Sequence, residues 1–179
     1  MPLEVMWQGK YITALRDGRW EYAERAHGIS AVVILAEHEG KVVLVEQPRV
    51  AIGGRCLEFP AGLIGDGGDD DNIEAAARRE LAEETGFHAQ HTEILGEFYS
   101  SPGMIAESFT LVRASGLSRV HAGGGIDGEE IVTHLVARAD IAGFIAAKRR
   151  EGVGIDVKLF LLLGAAIGEP VAPGSDTLA

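Results

Sequence analysis

A chain of 179 residues, 46% hydrophobic and 24% charged, has room for one domain with a well-filled core and too little for two large ones. Its formal charge of −11 repels phosphate backbones and anionic lipid, which excludes nonspecific nucleic-acid binding and a polybasic hold on membranes. The single cysteine, Cys56, excludes an internal disulfide framework and fits a reducing cytoplasm; no cationic-then-apolar start marks a signal peptide, and the longest apolar run, Leu159 to Ile167, is far too short to span a bilayer.

From the N-terminus, Leu3 to Trp7 and Tyr11 to Leu15 read as strands, and Arg16-Asp17-Gly18 turns the chain into a third, Trp20 to Arg25. Three short strands rarely make a core alone, so this unit must pack on the main domain or exchange between two copies of the chain. Ile29 to Ala36 and Val42 to Glu46 form a hairpin around Glu39-Gly40. Both are nearly continuous in Val and Ile, as expected for central strands covered on both faces.

Residues 57–87, LEFPAGLIGDGGDDDNIEAAARRELAEETGF, read as strand, glycine-rich acidic loop and helix. Asp71 is placed to cap the helix, with Glu74 completing a capping box, and Gly86 supplies the stop. Ile73, Ala77 and Leu81 recur at every fourth position, an apolar stripe that can pack on a sheet without help from the polar face. That polar face gathers Glu80, Glu83 and Glu84, expected to point to nearly the same side. Like charges so close destabilise a bare helix by a few tenths of a kcal/mol, roughly, per pair. One reading is a solvated acidic face with Arg79 paired to Glu83; the other is a site for a hard divalent cation, which favours oxygen ligands. Beyond it, Thr92–Tyr99, Ser108–Ala114 and Ile131–Ala137 read as strands, and Ile141–Arg150 and Val157–Ile167 as helices capped by Asp140 and Asp156. The last residues have the composition of a tail.

The run Arg79-Glu80-Leu81-Ala82-Glu83-Glu84-Thr85-Gly86-Phe87, preceded at a distance by Pro60-Ala61-Gly62, resembles the Nudix box, the loop–helix signature of enzymes that hydrolyse nucleoside diphosphates linked to another moiety. Two departures stand out: Asp71 occupies a position where the box ordinarily carries Glu, and the loop after Gly62 is longer than usual. Three outlying stretches, Glu46-Gln47-Pro48-Arg49 with Gly53 to Gly62, Ser101-Pro102-Gly103 with Glu107 beyond, and Gly18 to Arg25, are similar to the ADP-ribose (ADP-sugar) pyrophosphatase branch. The resemblance spans about Lys10 to Ile167. It implies an α/β fold, a Nudix-type α/β/α sandwich with a mixed β-sheet, plus a small N-terminal β unit at 1–27, the hydrolase domain at 28–168 and a flexible tail at 169–179.

The resemblance also implies roles. Glu80, Glu84 and the Ala61 carbonyl hold Mg²⁺, or Mn²⁺, against the pyrophosphate, with Glu83 completing the cluster and Arg79 orienting the carboxylates. Trp20 stacks the base, with Tyr11 as a second aromatic and Glu21 accepting from the adenine amino group; such stacking contributes roughly 1–3 kcal/mol. Arg25 and Arg49 grip the substrate near its phosphates, a task suited to a guanidinium fork. Pro102 and Gly103 line the pocket, and the N-terminal unit is exchanged across a homodimer. The general base comes from the acidic loop at Gly123 to Glu130, with Glu129 placed ahead of Asp127 and Glu130, and Glu83 on the helix as the alternative. The expected activity is hydrolysis of ADP-ribose or a related ADP-sugar, to AMP and ribose 5-phosphate for ADP-ribose. The alternatives are another nucleotide sugar such as GDP-mannose, or a noncatalytic ADP-ribose sensor. Read alone, Trp20 is equally a half-buried strand aromatic, Arg25 and Arg49 are exposed strand cations, and Pro102-Gly103 is a turn.

Overall fold

The computed structural model describes residues 2–65, 72–126 and 128–164, so Asp71, Asp127 and the tail at 169–179 lie outside the described residues. Strands β1 (Glu4–Gln8), β2 (Ile12–Asp17) and β3 (Trp20–Arg25) form a separate antiparallel sheet. Backbone bonds link it to the rest, Ala23 N–H donating to the Met104 carbonyl at 3.0 Å and Ala106 N–H to the Ala23 carbonyl at 2.8 Å, beside an ion pair of Arg25 with Glu107.

The large sheet is mixed. It is built from β4 (Ala31–His38), β5 (Lys41–Arg49), β6 (Gly54–Glu58), β7 (Ala61–Leu63), β8 (Phe87–Tyr99), β9 (Ser108–Arg119), β10 (Val132–Ala137) and β11 (Gly154–Ile155). Its main path runs β11-β6-β5-β4-β9-β8, with β10 on β5 and β7 on β4. The expected β4–β5 hairpin forms at its turn and then parts. Only Glu37↔Val42 and His38↔Lys41 pair directly, after which β4 turns to β7 and β9 while β5 turns to β6 and β10.

The continuous hydrophobicity of β4 has its reason in two cores. Val32, Ile34 and Ala36 face helix α1 (Ile73–Thr85) with Val43, Val112, Ala76, Ala77 and Leu81. Val33 and Leu35 face the other way, packing with Leu44, Leu57, Phe59 and Leu111 against Ile141 and Ile145 of helix α2 (Ile141–Arg150) and Leu159 of a 3₁₀ segment, Val157–Leu163. Alternate side chains of one strand thus fill opposite layers, the α/β/α arrangement.

Three local expectations are corrected. Asn72 caps α1, its side chain accepting from Ala75 N–H at 3.0 Å, so the cap falls one residue after Asp71, and Glu74 turns to Thr92 Oγ1 at 3.1 Å in place of completing a capping box. Asp140 makes no side-chain cap, because it ends a 3₁₀ turn, Arg138–Asp140, already in helical backbone. The segment expected as a helix from Val157 to Ile167 is 3₁₀ from Val157 to Leu163, with residues 165–167 outside the described ones; Asp156 does cap it, accepting from Lys158 N–H at 2.8 Å.

Candidate functional site

Helix α1 is clamped at the end that carries the carboxylates. The Ala61 N–H donates to Glu84 Oε2 at 3.1 Å, so the start of β7 reaches directly into the helix side chains. Gly62 permits this: a Cβ there would lie 1.8 Å from Glu80 Cδ. Arg79 ties the same region together, donating from Nη1 to Glu80 Oε1 at 2.6 Å and from Nη2 to the Leu63 carbonyl at 3.0 Å, with Glu83 at 3.7 Å.

The glycine-rich loop before β10 docks on the last turn of α1. Gly124 N–H donates to the Glu84 carbonyl at 2.9 Å and Gly125 N–H to the Glu83 carbonyl at 3.0 Å, satisfying two groups that a helix end leaves open. A Cβ on Gly123 (φ 74°) would meet the Thr85 carbonyl carbon at 2.5 Å, so backbone packs against backbone. Glu129 folds over this loop, its Oε2 accepting from Ile126 N–H at 3.0 Å.

Glu84 is only 5% exposed. Burial pushes its carboxyl up to about 8; the Ala61 N–H opposes that rise, the charges of Glu80 and Glu129 add to it, and Arg49 opposes it from β5. Arg49 is itself held by a fork on Glu58, Nε to Oε1 and Nη2 to Oε2, both at 2.7 Å. Ala61, Glu80, Glu84, Glu129 and Arg49 therefore belong to one electrostatic neighbourhood, with Arg79 and Glu83 on its edge.

The three carboxylates differ in depth: Glu80 and Glu83 both face Arg79 Nη1, at 2.6 and 3.7 Å, while Glu84 is buried on the Ala61 N–H. Among the described residues no three His, Cys, Asp or Glu side chains are gathered into a ready ligand set. The donor chemistry does fit a hard cation: carboxylate oxygens in a buried, self-repelling cluster gain most from a bound positive charge.

The residues expected to hold the nucleoside lie elsewhere. Glu21 lines a cleft of about 370 Å³ with Tyr22, Ala23 and Met104, and Tyr11 lines one of about 260 Å³ with Arg25, Ile105 and Glu107. Arg25 pairs with Glu107. Pro102 and Gly103 form a turn in which Met104 and Ile105 N–H both donate to the Ser101 carbonyl at 2.9 Å, and that turn delivers Met104 to β3. Trp20 is exposed, with the Arg19 guanidinium 5.0 Å from its ring centroid. The structure thus brings Glu21, Arg25, Tyr11, Pro102 and Gly103 together around residues 101–107, and the acidic residues around α1.

Sequence reasoning missed Glu58 as the partner of Arg49, and the partly buried Arg55, His134 and Lys148 around the buried Glu46. Both depend on strand register (Gln47↔Cys56, Val45↔Glu58), which residue spacing does not reveal.

Comparison with known proteins bears on the family and the fold. A family model described as NUDIX domain matches residues 26–142. The chain is 35% identical over 151 residues to GDP-mannose pyrophosphatase of Cronobacter sakazakii, covering 80% of this chain and 74% of that protein. It is 36% identical over 124 residues to methanol dehydrogenase activator of Bacillus methanolicus, covering 69% and 65%. With GDP-mannose pyrophosphatase of Citrobacter koseri it shares 37% over 120 residues, covering 62% and 60%, so it spans less than two thirds of the latter two relatives. In fold it is similar to a crystal structure of an ADP compounds hydrolase, with a TM-score of 0.67 at 20% identity over 91% of this chain and 90% of the other. The loop–helix pairing at Pro60 to Gly62 and Arg79 to Gly86, the mixed sheet between helices and the match over residues 26–142 place the chain in the Nudix family of pyrophosphohydrolases.

Proposed function

We propose that the chain hydrolyses the pyrophosphate of a nucleotide sugar, ADP-ribose or a related ADP-sugar, giving AMP and, from ADP-ribose, ribose 5-phosphate. The observation that carries this is the neighbourhood of Glu84: a buried carboxyl on the Ala61 N–H, facing the charges of Glu80, Glu129 and Arg49. A Mg²⁺ or Mn²⁺ ion held by Glu80, Glu84 and the Ala61 carbonyl, with Glu83 beside them, would neutralise phosphate charge and acidify water. Arg79 keeps Glu80 in place. Arg49, fixed by Glu58, offers its remaining N–H groups to a phosphate oxygen. Glu129 takes the proton from water as general base, a role that contributes about 10²–10⁴-fold; Glu130 and Glu83 are the other carboxylates in reach of the reading, and Asp127 lies outside the described residues. Tyr11, Trp20, Glu21, Arg25, Pro102 and Gly103 bind the nucleoside end, in a homodimer that exchanges the N-terminal unit. The lone, buried Cys56 suits a reducing cytoplasm.

A second reading has its own support: two of the relatives named above are GDP-mannose pyrophosphatases, and base stacking tolerates guanine as well as adenine. The test is nucleoside monophosphate release from ADP-ribose, ADP-glucose and GDP-mannose with and without Mg²⁺, using the wild type, Glu84→Gln and Glu129→Gln. The proposal expects fastest turnover of an ADP-sugar and loss of about 10²-fold or more in both variants. Faster turnover of GDP-mannose would select the second reading, and binding without cleavage would make the protein a sensor.

A further inference from the structure

Apart from the acidic site, a second set of charges is centred on Glu46, which is 7% exposed, with partly buried partners. Arg55 Nε donates to Glu46 Oε1 at 2.8 Å, while Lys148 Nζ from α2 and His134 Nε2 from β10 meet Oε2 at 3.0 and 3.2 Å. A carboxylate held by three basic groups from three elements has little freedom to move. Arg55 Nη2 then reaches two carbonyls, that of Glu46 at 2.7 Å and that of Glu130 at 3.0 Å.

We propose that Arg55 is a positioning residue: braced by Glu46, it grips the Glu130 carbonyl and so fixes beside Glu84 the loop that carries Glu129. The catalytic half of this inference rests on the reading of Glu129 as base, whereas the grip itself does not.

Register assigns Arg55 this indirect part. Pro48 lies opposite Arg55 and Gly54 opposite Arg49, so Arg49 and Arg55 leave the sheet on opposite faces. Arg49 faces Glu58 and Glu84; Arg55 faces Glu46 and α2, away from the acidic site. Its route to the chemistry is therefore the loop. That loop is pinned at one arm by Gly124 and Gly125 on the end of α1, and Ile131 N–H closes onto the Gly124 carbonyl at 3.1 Å. The other arm ends at Glu130, whose φ of 56° is a left-handed backbone that a side chain seldom adopts. Such a conformation persists where the surroundings hold it, and the Arg55 bond is one that does. Two residues later Val132 pairs with Glu46 in the sheet, so Glu46 anchors the loop's exit through backbone and side chain together.

The test compares Arg55→Met, Arg55→Lys and Glu46→Gln with wild type. Amide hydrogen exchange of the metal-free proteins reads the grip. Arg55→Met should speed exchange at residues 128–131 by about tenfold or more while β4 stays protected, and Arg55→Lys should fall between, keeping the charge but losing the fork. Glu46→Gln covers the case in which Arg55→Met fails to fold. Unchanged exchange at 128–131 in a folded Arg55→Met protein overturns the proposal. In turnover of ADP-ribose with Mg²⁺, Arg55→Met should lower kcat by ~10–100-fold with KM nearly constant, and should add nothing in a Glu129→Gln background. A full multiplicative loss in that background would also overturn it, since Arg55 would then act by another route. A fully active Glu129→Gln enzyme removes the base reading alone, and exchange then still decides for or against the grip.

Discussion

Glu84 is a carboxyl placed where a charge is hard to keep. In the metal-free protein its pKa of about 8 lies well above that of the same group in the unfolded chain, about 4.5. Between those values the folded state holds a proton that the unfolded state has released, so this group's contribution to stability is present at low pH and is lost as pH rises toward 8, levelling off above it. A shift of that size corresponds to an upper bound of roughly 4–5 kcal/mol. Glu84→Gln, whose side-chain oxygen can still accept from the Ala61 N–H, should therefore match wild type near pH 4 in chelator and melt higher above pH 8. Added Mg²⁺ should raise the wild-type Tm and leave the variant's unchanged. Equal melting of the two proteins across that range would show that burial of Glu84 carries no such cost. Gly62 is tested in a similar way. Gly62→Ala must push Glu80 aside and is expected to lower activity by about 10-fold or more while costing little in Tm, because the group displaced is a side chain that can turn rather than backbone or an apolar core residue. The type of residue at each of these positions was legible in the sequence. Which carboxylate is buried was not, because helix azimuth alone does not say that Pro60 and the start of β7 cover Glu84.

At the level of elements, the end of α1 and the loop before β10 behave as one unit, and the interlock of Gly123 with Thr85 is its joint. Gly123→Ala forces a side chain into left-handed backbone, a cost of about 1–2 kcal/mol, and adds an overlap with backbone that cannot move aside. We expect a stability loss above about 2 kcal/mol by denaturant unfolding, with turnover falling further than stability explains. The other end of the helix is a milder case: Asn72→Ala removes the cap and should cost ~1 kcal/mol with activity retained. The long periodic elements were legible in sequence, α2 to the residue and α1 to within its cap. Strands whose edges lack a contrast in hydrophobicity were read short: β8 starts at Phe87 because Phe87 and Ala89 bury between exposed neighbours, and β9 runs past Ala114 to pair with that added length. The two-residue β11 and three-residue β7 carry no period and owe their existence to the partners they meet.

Across the whole molecule, the acidic surface and the N-terminal sheet pull in different directions. A net charge of −11 favours dispersal of copies, yet β1 to β3 leave Leu3, Val5, Trp7, Tyr11 and Ile12 exposed on a sheet of only three strands. Three strands seldom hold so much apolar surface open to water, and the backbone bonds of Ala23 to Met104 and Ala106 secure only one edge of the unit. A second copy supplies equal apolar surface, and two-fold pairing places the same patch of each chain against the other. We therefore expect light scattering to give the mass of a dimer, and the double substitution Val5→Lys with Trp7→Glu to give a monomer whose hydrolase domain still melts cooperatively. Because Glu21, Arg25 and Tyr11 stand beside this surface, that monomer should lose nucleotide-sugar turnover mainly through a higher KM. A monomeric wild type would remove the dimer. A monomeric variant with unchanged KM would show that each chain completes its nucleoside pocket alone, with Trp20 and its neighbours serving the sheet rather than the substrate.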